Sequence, residues 1–225
     1  MSRSFQAVSF DVGGTLIEPW PSVGHVYAQV LEDSGIPGRD PDRINAQFVS
    51  AWKTRQRFGY SRQDWAELVE SSLAGCVAPE MARQLFPTIY DRFTEARCWR
   101  IFDDVRPALD ELKVRGFRLA VTSNWDERLE QTLRSNGLWE YFEVVTASGP
   151  LGCHKPEAEI FHSTCRAMRL APNQVLHVGD SRAEDFEGAR QAGLSALHLR
   201  RHCKAGDNDE EITDLRQLGS QGQSR

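Results

Sequence analysis

The chain opens with a short apolar run, Phe5 to Phe10, that closes on Asp11 and breaks into Gly13-Gly14. A run of this length bounded by turn signals predicts a buried strand that delivers an acid to the loop at its carboxyl end. From residue 21 to 97 the pattern changes to helical spacing. Val23, Val26, Tyr27, Val30 and Leu31 form one such set, and Ile44, Phe48, Ala51 and Trp52 a second. Trp65, Leu68, Val69 and Leu73 follow, then Leu85, Ile89, Tyr90 and Phe93. Breaks at Pro37-Gly38, Gly59 and Ala78-Pro79 separate four predicted helices, with Asp40 and Ser61 as N-caps. No strand is predicted in this block.

Beyond Phe102, helices and strands alternate. Helices are predicted over 105–115, 126–136, 158–170 and 185–192, and strands over 117–123, 142–146, 175–180 and 195–199. The segment after Lys204 is polar, and Ile212 to Leu218 predicts a last helical turn. Alternation of this kind builds a parallel sheet with helices on both faces. One strand precedes the helical block and the rest follow it. The organisation expected is an α/β core formed by residues 1–17 and 98–225, with an all-helical insertion over 18–97.

Composition narrows the function. At 225 residues and 40% hydrophobic the chain is long and apolar enough for one large domain carrying an insert. Its net charge of −5 and lack of a lysine-rich run exclude the concentrated positive field that nucleic acid or an anionic membrane surface needs. No apolar run approaches the roughly 18 residues of a membrane span, and Asp11 arrives too early for a secretory leader. A cytoplasmic protein is expected. The five cysteines (Cys76, Cys98, Cys153, Cys165, Cys203) lack the close pairing of zinc sites and are read as reduced, mostly buried thiols. The adjacent Cys153 and His154 do not read as a nucleophile pair, since neighbouring side chains rarely face each other. Trp20, Trp52, Trp65 and Trp99 are expected in the core.

In an open parallel sheet, ligands bind outside the carboxyl ends of the strands. The first strand brings Asp11, Gly13, Gly14 and Thr15 there, the second Ser123 and Asn124, and the last but one Asp180, with Asp185 close behind. Lys155, beside Pro156 at the head of the third helix, opposes the helix dipole and so faces an anion. The acids suit a hard cation such as Mg2+. The hydroxyls, backbone amides and lysine suit the oxygens of a phosphate. Asp11 is then placed to attack phosphorus.

These segments resemble the haloacid dehalogenase superfamily, in family order and over residues 5–199: Asp11 to Leu16, Ser123-Asn124, Lys155 to Glu157, then Gly179 to Ser181 with Asp185. The resemblance implies a Rossmann-like core, a type-1 helical cap at the insertion, and Asp11 as nucleophile with Ser123 and Lys155 as catalytic partners. It implies Mg2+ held by Asp11, the Gly13 carbonyl, Asp180 and Asp185. A small phosphorylated metabolite would bind at Gly14, Thr15, Ser123, Asn124 and Lys155. The chain departs from the family at Gly13, where family phosphatases carry a second Asp that donates and accepts the proton. Losing such help slows alkyl phosphate hydrolysis by about 10²–10⁴-fold and least affects leaving groups that need no proton, such as acyl phosphates. Glu18 and Asp126 are the substitutes the sequence offers. Gly13 also motivates a rival, a weakly active or non-catalytic protein binding a phosphorylated ligand or a partner. Within the family, dehalogenases and phosphonatases tolerate the missing Asp; the latter need a cap lysine, and Lys53 alone is available. The Asp11–Thr15 turn is similar also to the phosphate loop of actin-like sugar kinases, which need a second related half that this chain lacks.

Overall fold

The computed structural model describes residues 5–55, 58–201 and 209–220. Cys203 and the start of the polar tail lie outside these. The chain divides into two compact units: residues up to Glu18 with Ile101–Glu127 and everything from Gly137, and Pro19–Arg100 with Arg128–Asn136.

The first unit is built on β1 (Ala7–Phe10). The chain leaves it along β2 (Ile17–Pro19) and returns along β3 (Trp99–Ile101), which pair as a two-stranded ribbon. Three residues are too few to show alternation, so neither strand is visible in the hydropathy pattern. Within the second unit lie α1 (Val23–Asp33), α2 (Pro41–Thr54), α3 (Arg62–Ser72) and α4 (Pro79–Arg92). Asp40 accepts from the Asp42 amide, and Ser61 caps α3 in a reciprocal box with Asp64. Trp52 and Trp65 stack at 5.8 Å between ring centres, and Phe58 meets both edge-on. Trp20, expected in the core, is 44% exposed under the guanidinium of Arg100.

In the first unit the chain runs through α5 (Val105–Val114) and β4 (Arg118–Ser123). Next comes α6 (Leu129–Ser135), which packs with the helical unit rather than with the core expected for it. The cause is polar: Arg128 lies 3.4 Å from the Tyr90 ring centre and donates to the Tyr90 carbonyl, while Ser135 donates to Thr94. The first unit continues with β5 (Val144–Ala147), the short α7 (Ser148–Leu151), α8 (Ala158–Met168) and β6 (Val175–Gly179). A π-helical turn over Arg182–Glu187 then leads into α9 (Gly188–Gln191) and β7 (Ser195–Leu199). A further short strand, β8 (Glu211–Ile212), precedes a 3₁₀ turn over Leu215–Ser220 where a helical turn is expected.

Among the described residues, six of the eight strands form one sheet in the order β5-β4-β1-β6-β7-β8, all parallel. The chain fills one side of β1 with β4 and β5 and the other with β6 to β8. The switch point, where a crevice opens at the carboxyl ends, is therefore β1 itself. Ala7, Ala120, Val175 and Ala196 pack under α8 and α9 on one face, and α5 packs against β4 from outside that cluster. The result is a Rossmann-like α/β fold. Cys98 and Cys165 are buried and Cys76 and Cys153 half-buried, all four as free thiols. No helix among the described residues is long and apolar enough to cross a membrane.

Candidate active site

Three acids converge at the carboxyl edge of the sheet. Asp11 follows β1, Asp180 follows β6, and Asp185 sits in the π-helical turn. One carboxylate oxygen from each lies within 4.8 Å of the other two. Two glycines permit this crowding. Gly14 adopts φ +76°, and a Cβ there would stand 2.4 Å from Asp180 Oδ2. At Gly179 a Cβ would lie 2.2 Å from the Asp185 carboxyl carbon, so any side chain would push Asp185 out of place.

Lys155 reaches between the acids. Its Nζ donates to Asp11 Oδ1 at 2.6 Å and to Asp185 Oδ1 at 2.5 Å, and all three side chains are buried. A buried charge needs such partners. Burial works against the Lys155 ammonium, but the carboxylates of Asp11 and Asp185 outweigh it and raise its pKa above the usual lysine range. Burial likewise opposes ionised Asp185, yet Lys155 and His177 outweigh it and hold the carboxyl well below its ordinary value. At Asp11 burial prevails over the pull of Lys155, Asp185 adds to it, and the pKa is raised. Asp180 is exposed as a residue, but protein around its carboxyl group partly shields it from water. That surrounding, with the charges of Asp11 and Asp185, pushes its pKa up to about 7.

The remaining predicted residues have definite places. Ser123 Oγ donates to Asp11 Oδ1 at 2.9 Å. Asn124 grips the Lys155 backbone from both sides: its Oδ1 accepts from the Lys155 amide at 2.7 Å and its Nδ2 donates to the Lys155 carbonyl at 3.0 Å. Neither residue caps a helix, because α6 starts only at Leu129. Nor does Pro156 open one; it stands two residues before α8, after a cis Lys155-Pro156 bond. Thr15 is fully buried, with Oγ1 3.4 Å from Asp180 Oδ1. At Gly13 the backbone is unstrained, and a Cβ would meet only Trp125, at an ordinary 3.6 Å. The missing side chain is therefore not demanded by the fold. Of the suggested substitutes, Asp126 is completely buried and Glu18 half-buried on β2. His154 turns to the Lys155 carbonyl and Glu157, at 3.1 and 3.5 Å.

Two residues that sequence reasoning passes over belong here. His177 on β6 is fully buried, with Nε2 3.0 Å from Asp185 Oδ1. Arg201 donates to both Asp104 oxygens at 2.9 Å and also to the carbonyls of Gly14 and Thr15, fastening the loop after Asp11 from below. The Asp104 carboxylate in turn accepts from the Leu215 amide at 2.7 Å.

An all-oxygen set of three clustered carboxylates, carrying net negative charge despite Lys155, suits a hard divalent cation. Asp185 Oδ2 accepts from the Ser181 amide at 3.0 Å and retains lone-pair capacity for an ion.

A family model described as haloacid dehalogenase-like hydrolase matches residues 5–193. The chain belongs to the haloacid dehalogenase-like hydrolases. Within that family it is 31% identical over 202 residues to haloacid dehalogenase-like hydrolase domain-containing protein 3 of Xenopus laevis, covering 85% of this chain and 82% of that protein. It is 32% identical over 146 residues to a phosphoserine phosphatase of Thermus thermophilus, covering 63% and 57% of the two chains. A solved haloacid dehalogenase-like (HAD) phosphatase from Thermococcus onnurineus superposes with a TM-score of 0.69 at 25% identity, over 96% of this chain and 97% of that one.

Proposed function

We propose that this hydrolase removes the phosphoryl group of a small phosphorylated metabolite in a Mg2+-dependent reaction through a phospho-aspartyl intermediate on Asp11. The observation that carries the reading is Lys155, buried between Asp11 and Asp185 with Asp180 alongside, at the switch point of the sheet. Phosphatases among the relatives support the same class. Asp11, Asp180, Asp185 and the Gly13 carbonyl would hold the ion. Bound there, Mg2+ neutralises charge on the phosphoryl oxygens.

The protein's own groups supply the rest. Lys155 and Ser123 both contact Oδ1 of Asp11, orienting the carboxylate so that Oδ2 faces incoming phosphorus. Attack by Oδ2 forms the new P–O bond as the leaving oxygen departs with its electron pair. Water then attacks the aspartyl phosphate, returning the carboxylate and releasing inorganic phosphate. Lys155 binds the phosphoryl oxygens through both steps, without the amides of Gly14 and Thr15, which are tied to the carbonyls of Ile17 at 2.9 Å and Val12 at 3.3 Å. Position 13 offers the leaving group no proton, so acyl and activated aryl phosphates are preferred over alkyl esters.

The test is steady-state turnover of acetyl phosphate and an aryl phosphate with Mg2+. Asp11→Asn abolishes it, and Gly13→Asp, which the backbone accepts, raises turnover of alkyl phosphates by about 10²–10⁴-fold. The empty side-chain position at Gly13, walled by Trp125, favours a second reading, a phospholigand-binding protein without turnover. Tight ligand binding with no Asp11-dependent turnover of any phosphate would select it.

A further inference from the structure

On the α8 side of the sheet a row of polar side chains crosses four strands. Ser9 stands beside His177, and Thr122 beside Thr146, in the strand pairing. Thr164 of α8 closes the row from above. The hydrogen bonds are continuous: Thr164 donates to Thr146 at 2.9 Å, and the pairs Thr164 and Thr122 at 2.7 Å, Thr122 and Ser9 at 2.7 Å, and Ser9 and His177 Nδ1 at 3.2 Å complete the row. His177 Nε2 then meets Asp185 Oδ1 at 3.0 Å, the same oxygen that takes Lys155. Ser9, Thr122, Thr164 and His177 have no exposed surface, and Phe161 packs edge-on against the imidazole.

Strands buried in a parallel sheet are normally apolar on both faces, and three hydroxyls and an imidazole placed there, with a fourth hydroxyl facing them from α8, need a reason. The row ends on Asp185. An anionic carboxylate only accepts, so Nε2 carries the proton in this contact, and Ser9 meets Nδ1 at the other end. With His177 and Lys155 on Oδ1 and the Ser181 amide on Oδ2, the Asp185 carboxyl plane has no freedom to turn.

We propose that His177 is a positioning residue: backed by Ser9, Thr122 and Thr164, it locks Asp185 so that Oδ2 stays presented to a divalent cation. The inference rests on the metal-dependent reading of the site and deepens it, since it identifies what holds one of the ligands still. Outer partners of this kind change metal affinity through orientation, without touching the ion.

The test is direct binding of Mn2+ to the full-length protein, followed by electron paramagnetic resonance, with Mg2+ as competitor. His177→Leu keeps an apolar fit against Phe161 but removes the donor, and weakens Mn2+ binding by about 10–100-fold, whereas His177→Gln, whose amide reaches the same oxygen, recovers most of that affinity. A role in packing alone would not separate the two variants. If His177→Leu does not fold, Thr122→Val decides, because it keeps the volume and cuts the row; a severalfold loss of affinity is then expected. Unchanged Mn2+ affinity in His177→Leu, or in Thr122→Val where that variant decides, overturns the positioning role and leaves the proposed function standing. Failure of the unaltered protein to bind Mn2+ or Mg2+ overturns both.

Discussion

The central strands have two unlike faces. On one, Val8, Phe10, Leu119, Val121, Leu176 and Val178 are all buried and all apolar, and Phe10 meets Phe142 edge-on. On the other, the amino-terminal half is apolar (Ala7, Ala120, Val175), but the half nearest the crevice carries Ser9, Thr122 and His177. The same three strands thus hold the fold together through one face and hold the chemistry in place through the upper half of the other. The period-2 pleat keeps these tasks apart, because neighbouring residues of a strand never share a face. Stability and function should therefore separate by residue parity.

The largest expected break comes from the ammonium at the end of the polar face. Lys155→Met leaves Asp11 and Asp185 buried without their cation, and urea unfolding should show a loss of about 3–5 kcal/mol together with loss of turnover. A milder loss without a change in chemistry is expected from the apolar face. Leu119→Ala should cost about 2–5 kcal/mol by the same measurement, while Mg2+ affinity and KM of the folded protein stay as they were; a change in either would show that the faces are coupled. The smallest effect is a dependence on pH. With the Asp180 carboxyl raised to about 7, cation binding must displace a proton below that pH and need not above it. Mg2+ affinity, measured calorimetrically, should be flat above neutrality and fall by up to about tenfold per unit as pH drops toward 6. Asp180→Asn should flatten the profile.

Much of this was legible in the chain. Periodicity located the four inserted helices and the strands at 118–123, 144–147, 175–179 and 195–199 because each is long enough to show its repeat. Asp11 and Asp180 stand out as acids at strand ends close to glycines, and Asp185 by its place five residues beyond Asp180. What stayed hidden depends on contacts far apart in sequence. His177 lies 168 residues from Ser9, and nothing beside it distinguishes it from a surface histidine on a strand. The one available signal was polar residues at alternate positions, 9 in β1 and 122 in β4, on the same side as Asp11. Asn124 reads as a ligand residue only through the resemblance of Ser123-Asn124 to the family's second motif; its hold on Lys155 is visible only once β4 and the loop before α8 are brought together. The membership of α6 in the helical unit rests on Arg128 and Ser135, whose partners lie in or just after α4.

The Arg201 clamp bears on how the molecule is born. β1 is synthesised well before its partners, for the lysine that neutralises its acid lies 144 residues later and the guanidinium that ties down its loop 187 residues from Gly14. At about 5–20 residues per second, the strand Ala7–Phe10 waits roughly ten to forty seconds for those partners. A nascent chain stalled before position 201 would carry every acid of the crevice and still lack the fastening beneath Gly14 and Thr15. The loop after β1 thus acquires its working shape only after Arg201 has been made.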